Sequence, residues 1–411
     1  MKIQIIYWLL ACCPFFLSCK KEVSSKNSHS FQTVDCRFTP GMSLKLSDFA
    51  ESIEVIPLET TDGSLLGGIG NVKLFEDCYY ISSYSSRVDR ILQFDEHGRF
   101  IRKLDKRGMG PDEYIDIQDF DLLNKDKILT ISRNDSRLYL YDIKQNSCLF
   151  SQKLPSYPLG LISDGKEIIW FNEGSLAFAD KHTPSTGLLQ NLDMKGNLLK
   201  TYADLDQEAR QKIHGTLPAR TFSKCEDRIY FQYTFCDTLF EIKDGRLFPA
   251  FYIDFGEKKI PQGAFKDAKR DIMSMMKVVN QNKGVESIYY YEVTPSWLYL
   301  TFRDVESRGY IAFYNRNTHK TLLANRIEDD LLFPLTIIPL KFNFPKCFTG
   351  DYLIWDLESS YFKKIYDRYK GALTPEQFKK FRSTHKRLVS ICENLTEEDN
   401  PVLLKIKMKK Q

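Results

Sequence analysis

Phe100–Tyr114, "FIRKLDKRGMGPDEY", decides how the rest of the chain is read. Two glycines, Gly108 and Gly110, stand in a basic loop between apolar runs. A phosphate-cradling G-x-G-x-x-G loop must leave a strand and open a helix, so that backbone N–H groups face the anion. Here Pro111-Asp112-Glu113-Tyr114 follows, then "IDIQDFDLL", a second strand pattern, with no third glycine. The two acidic residues would also repel a phosphate. A nucleotide cradle is therefore excluded, and no nucleotide cofactor is expected. The loop reads instead as a crossing from the outer strand of one sheet to the inner strand of the next, a reversal expected to use glycine at positive φ.

On both sides of this loop the same grammar is written. "CYYISSYSSRVDRILQFDEHGRFIRKL" (78–104) and "KILTISRNDSRLYLYDIKQNSCLFSQKL" (127–154) each give a β-rich run, a polar turn, a run ending in aromatic-Asp, another turn and a third run. The pattern returns at "EIIWFNEGS…LLQNLDMKGNLLKTY", at "RIYFQYTFCDTLFEIKDGRLFPAFYIDFG" and at "WLYLTFRDVESRGYIAFYNRNTHKTLLANRI", and weakly at "DYLIWDLES". His97-Gly98, Lys195-Gly196 and Asp244-Gly245 are hairpin turn signals.

A period of ~40–50 residues with about four strands is that of a β-propeller blade. Ile53 to Lys407 is 355 residues. Less two helical inserts, near 257–284 and 361–398, six blades take about 48 residues each, whereas five or seven would take about 58 or 41. The expected fold is all-β: a six-bladed β-propeller with two helical insertions, its ring closed by "SIEVIPLET" (52–60) and "NPVLLKIKMK" (400–409) meeting in one blade. The first insert carries Ile272, Met275, Met276 and Val279 at helical spacing. The second opens with Thr374, Pro375 and Gln377, a capping-box pattern. Both are natural places for partner contacts.

"MKIQIIYWLLACCPFFLSCKK" opens with Lys2, continues as an apolar run and ends at Ser18-Cys19, a secretory signal. Leu17-Ser18-Cys19 resembles a bacterial lipobox, and Leu9-Leu10-Ala11-Cys12 fits the same pattern less well, because cutting there would leave "PFFL" on the mature chain. This divides the chain into a signal peptide (1–18), a lipidated tether (19–34) with acyl chains on Cys19, and one propeller domain (35–411). The expected place is the bacterial envelope, most readily the outer membrane, with the globular part periplasmic or at the surface. No later run reaches the ~20 apolar residues of a spanning helix. The formal charge of +4 is mild for 411 residues and points to no nucleic-acid partner. Seven cysteines follow Cys19 at irregular spacing and read mostly as small buried residues, with a disulfide left open.

"GRFIRKLDKRGMGPDEY" resembles the inter-blade segment of NHL-type propellers. Together with "LETTDGSLLGGIGNVKLFEDCYYI", "CDTLFEIKDGRLFPAFYIDFG", "EEDNPVLLKIKMK" and the lipobox, it resembles the six-bladed β-propeller lipoproteins of Bacteroidota. That likeness implies fold and compartment, covers about Ile53 to Lys407, and brings no catalytic residues.

Chemistry is sparse. The six histidines (29, 97, 182, 214, 319, 385) show no H-x-H, H-x₃-H or H-E-x-x-H spacing, and no G-x-S-x-G elbow occurs. Asp119 and Asp121 flank Phe120 on an inner strand and share a face, where they could take calcium or a sugar in the central channel or stand as solvated rim carboxylates. Asp237-Thr238 reads as a turn cap and also fits an O-glycosylation pattern. Arg107, Tyr114, Arg220 and Tyr233 are expected as a polar, aromatic patch at one mouth of the ring. The expected function is a non-catalytic, lipid-anchored propeller that binds a protein, peptide or glycan. The alternatives are a metal-dependent lactonase, esterase or lyase using the channel, and a structural part of an envelope complex.

Overall fold

The computed structural model describes residues 31–83, 89–154, 158–165, 168–172, 189–202, 220–244, 246–268, 272–334, 336–339 and 344–410. The signal peptide, Cys19, His29, His182, His214 and Gly245 lie outside them. Among the described residues no helix is long and apolar enough to cross a membrane.

The fold is all-β, built of small antiparallel sheets. The N-terminal part gives strands β1 (Gln32–Asp35) and β2 (Ser43–Lys45), a one-turn helix α1 (Leu46–Phe49) and strand β3 (Ala50–Pro57). Sheet I is β4 (Ile69–Phe75), β5 (Cys78–Ser83), β6 (Arg90–Phe94) and β7 (Phe100–Leu104). Sheet II is β8 (Asp119–Asn124), β9 (Lys127–Ser132), β10 (Arg137–Asp142) and β11 (Ser147–Lys153). Sheet III is β12 (Pro158–Ser163), β13 (Ile168–Asn172), β14 (Leu189–Leu192) and β15 (Leu198–Tyr202). Sheet IV is β16 (Phe222–Cys225), β17 (Arg228–Phe231), β18 (Thr238–Lys243) and β19 (Arg246–Asp254), with β1 added in parallel at its edge. Helix α2 (Ile272–Gln281) precedes sheet V: β20 (Val285–Val293), β21 (Trp297–Asp304), β22 (Gly309–Asn315) and β23 (Thr321–Ala324). β24 (Arg326–Asp329) and β25 (Thr336–Pro339) join β2 in a three-stranded sheet that the sequence reading did not foresee. Sheet VI is β26 (Cys347–Thr349), β27 (Tyr352–Leu357), β28 (Val402–Met408) and β3, with helices α3 (Ser359–Ala372), α4 (Pro375–Thr384) and α5 (Lys386–Asn394) between β27 and β28.

The repeated grammar corresponds to strands two to four of each sheet, and the crossing at 105–118 joins the last strand of sheet I to the first of sheet II. The expected pairing of chain ends is present: β28 runs antiparallel to β3, from Val402↔Pro57 to Met408↔Ala50.

Alternation explains the core. On β5, Tyr79 and Ile81 point to one face and Tyr80 to the other, and all three are fully buried. Tyr79 and Ile81 pack with Ile354 and Leu403 of sheet VI, while Tyr80 packs with Phe120, Ile128 and Tyr141 of sheet II. Each sheet is thus apolar on both faces and needs two neighbours. Further clusters join II to III through Leu129, Leu140, Leu161 and Leu192, and III to IV through Ile162, Leu189, Phe222 and Phe231. Others join IV to V through Tyr230, Phe251, Leu298 and Phe302, and V to VI through Tyr299, Phe313, Trp355 and Leu404.

One turn recurs. In sheet I, Asp95 Oδ1 accepts from the N–H groups of His97 and Arg99 around Gly98 at φ +82°; in sheet III, Asp193 does the same for Lys195 and Asn197 around Gly196 at φ +82°. A Cβ on Gly98 would run into the carbonyl oxygen of Pro57, so strain and collision both demand glycine there.

Several expectations are corrected. Val34 is fully buried in β1, so the fold begins inside the tether assigned to 19–34. Gly108 and Gly110 do not have positive φ; a Cβ on Gly108 would instead strike the Glu113 carboxylate, which accepts from the Gly110 N–H at 2.9 Å. The loop therefore seats a carboxylate of its own chain. The second insert begins at Ser359 and breaks at His385 into separate helices, although the Thr374–Gln377 capping box forms as expected. In the first insert, Met275 and Val279 are buried against Phe235 and Phe265. No disulfide joins any two of the seven described cysteines.

Candidate functional site

The first strands of sheets I to VI line a cavity of about 400 Å³. It is lined by Lys73 of β4, Asp121 of β8, Ser163 of β12, Lys224 of β16, Glu292 of β20 and Cys347 of β26, with Arg220 just before β16.

The charges inside are tied across sheets. Lys73 Nζ lies 2.7 Å from Asp121 Oδ1, joining sheets I and II. The other Asp121 oxygen accepts from the Ser163 N–H at 2.7 Å, reaching sheet III. Two residues earlier on the same face, Asp119 accepts from Asn71 Nδ2 at 3.1 Å and the Leu161 N–H at 2.9 Å. Arg220 Nη2 stands 2.7 Å from Glu292 Oε2, and the guanidinium lies over the Tyr290 ring. Ser223 Oγ donates to the other Glu292 oxygen at 2.7 Å and accepts the Val293 N–H at 2.9 Å.

Burial pushes the Asp119 carboxyl up from the usual carboxylate range, opposed by Lys73 and by backbone N–H donors. It does the same to Glu292, opposed by Arg220 and the Ser223 hydroxyl. The Cys347 thiol is pushed up to about 11, first by burial and then by Glu292, which makes it a poor nucleophile.

Of the residues predicted for the site, the structure brings together Asp119, Asp121 and Arg220 and leaves out the rest. Tyr114 is fully buried between sheets I and II, edge-on to Tyr141, with its hydroxyl donating to the Asp89 carbonyl at 2.8 Å. It is a core residue because the crossing loop folds back over the sheet. Arg107 is exposed on that loop and donates to the Ile115 carbonyl. Tyr233 is buried, stacked on Phe240, and lines a separate cavity of about 280 Å³ with Asp237, Thr238 and Lys259. Asp237 accepts from the Thr238 hydroxyl at 3.2 Å and lies 3.5 Å from Lys259 Nζ, side-chain contacts in place of the backbone bond a turn cap would make.

The donor set does not suit the calcium considered for the channel. Asp119 and Asp121 face an ammonium, an amide and backbone N–H groups, and no cluster of three His, Cys, Asp or Glu with ligand geometry occurs among the described residues. Sequence reasoning missed Lys73, Lys224 and Glu292 on first strands, and Glu226 in the turn after β16, which also lines the cavity. The available signal was an ionisable residue set in an apolar first strand, as in "GNVKLF" and "YYYEVT".

Residues 31–407 match the family described as a domain of unknown function, DUF4934, and the chain belongs to that family. No curated protein matches. The fold is similar to a crystal structure from Bacteroides fragilis NCTC 9343 described as a "Putative exported protein", with TM-score 0.69 and 17% identity over 93% of this chain and 100% of that one. A member of the duf4221 family from Bacteroides vulgatus is similar with TM-score 0.48 and 12% identity over 88% of this chain and 98% of that one.

Proposed function

We propose that the chain is a six-bladed propeller, lipid-anchored in the bacterial envelope, that binds a protein, peptide or glycan at the mouth of its central cavity without catalysing a reaction. Support for the ring comes from the six clusters, which link I to II, II to III, III to IV, IV to V, V to VI and VI back to I. The β28–β3 pairing would then be its clasp. The observation that carries the binding reading is the pairing of Lys73 with Asp121 and Arg220 with Glu292. Asp121 and Glu292 each already face a cation, so this part of the cavity is a preformed polar socket in which neither carboxylate stands as a free base. The lipobox at Leu17-Ser18-Cys19 supports the anchor.

The test is capture of envelope components on the immobilised chain and on Lys224→Glu and Glu226→Lys variants at the cavity wall. Loss of one specific partner in the variants supports the reading. Hydrolysis of lactones or esters by the purified chain, abolished by Arg220→Met, would refute it. Cys19→Ser tests the anchor separately: the protein should move from the membrane to the soluble fraction.

A further inference from the structure

The three-helix insert is electrostatically unlike the rest of the molecule. Residues 359–394 hold nine Lys and Arg against three Asp and Glu, a net +6, whereas the whole chain carries only +4. The remainder is therefore net −2. Its inner side is apolar and fixed: Phe362, Tyr366 and Leu388 are buried with Phe333 and Trp355, and Phe381 stands edge-on to Tyr369. The cations consequently face water. Arg382 and Lys370 share Glu393, and Arg387 reaches Glu54 on β3. Lys364, Arg368, Lys379, Lys380 and Lys386 are exposed and stand in no ion pair among the described residues. Such a cluster is costly in self-repulsion unless an anion meets it.

We propose that α3–α5 form a docking face for a bilayer surface bearing anionic headgroups, which orients the domain over the membrane. The occupant follows from charge complementarity and from chain length. Only 12 residues lie between Cys19 and Gln32, a length of chain that can reach no further than roughly 45 Å. A domain so tethered is held within reach of headgroups at high local concentration. Clustered cations near a surface each add to its attraction and fade with salt. The inference rests on the proposed anchor for proximity, and the experiment separates the two.

The whole protein is incorporated in vesicles of phosphatidylethanolamine with or without 30% phosphatidylglycerol (~30%, enough to give an anionic surface). An impermeant acylating reagent then modifies accessible lysines. Lys364, Lys379, Lys380 and Lys386 should react at least fivefold more slowly on anionic vesicles than on neutral ones, and recover at about 0.5 M salt, where screening is nearly complete. Lys144 and Lys195, exposed on sheets II and III, should react equally on both. Protein that stays on the vesicles with those four lysines equally reactive overturns the docking face and leaves the anchor standing. Protein that floats with neither vesicle overturns both. Protection by a soluble anionic polysaccharide as strong as that by the vesicles assigns the face to a polymer and overturns the proposal.

Discussion

Asn400, at the head of β28, is the residue on which the junction of the two chain ends turns. Its side chain is buried and fully used: Oδ1 accepts from the Leu66 N–H at 2.7 Å, and Nδ2 donates to the carbonyls of Glu59 at 2.7 Å and Ser64 at 2.9 Å. Its own N–H donates to Thr60 Oγ1 at 2.8 Å. One amide thus fastens the start of β28 to the loop between β3 and β4. Asn400→Ala strands the buried Leu66 N–H and Ser64 carbonyl, while the Glu59 carbonyl keeps the Ser64 hydroxyl at 2.7 Å. At the low end of about 1 kcal/mol for each stranded group, the loss is about 2 kcal/mol. A folded part of this size unfolds with an entropy of about 0.8 kcal/mol per kelvin, so the melting temperature should fall by about 2.5 °C. Asn400→Asp should do more harm at neutral pH, because it turns a donor into an acceptor aimed at two carbonyls. The assay is urea unfolding followed by tryptophan fluorescence and checked by calorimetry, with Asn394→Ala as the control. Asn394 is exposed and bonds only within its own helix. If Asn400→Ala and Asn394→Ala fall within 1 kcal/mol of each other (a spread of about one hydrogen bond), the clasp is not where the fold is held.

Glu292→Ala leaves Arg220 without its carboxylate, and should cost about 3 kcal/mol in urea unfolding because Arg220 keeps 21% of its side-chain surface accessible. The double variant Arg220→Met/Glu292→Leu should recover most of that loss; failure to recover would mean the pair is not energetically coupled. Asp356 has a buried oxygen with no partner, and burial raises its carboxyl to about 6. Because its folded value lies above the unfolded one, the contribution is present at low pH and lost between about pH 4 and pH 6. Asp356→Asn should flatten the stability profile across that window and gain up to about 3 kcal/mol at pH 7; an unchanged slope would refute the assignment. Gly108→Ala should cost about 1 kcal/mol by displacing Glu113 from the Gly110 N–H, and should be nearly neutral in a Glu113→Ala background. Additive losses would show that the glycine serves something other than its carboxylate neighbour.

What the sequence made legible was whatever repeats within one sheet. Strands two to four recur as alternating runs with Asp-x-x-Gly turns, because hairpin geometry is local and the same short side chain caps it each time. Even so, local reasoning failed in the crossing loop. The glycines at 108 and 110 looked like conformational hinges, while their reason is steric: a carboxylate three residues further on occupies the space of a Cβ. Tyr114 misled for the same cause, since an aromatic in a loop reads as surface until the loop is folded back over the sheet.

The site was hidden by its construction from first strands. Arg220 and Glu292 are 72 positions apart, and Lys73 and Asp121 are 48 apart; each pair meets only because adjacent sheets stand side by side. No spacing rule joins them, for the separation is set by how much chain each sheet consumes. The same arrangement gives the cavity its character. First strands are packed on both faces, so a charge placed there must find its counterion across the sheet boundary or remain at high cost. Pairing between neighbours is therefore demanded by the architecture before any ligand is considered. A ligand that enters must exchange these bonds for its own, which favours an occupant with alternating charge or many hydroxyls over a single strong ion. The helical insert obeys the opposite rule: nothing in the packing requires its outward cations to cluster. Stability does not explain that surplus charge.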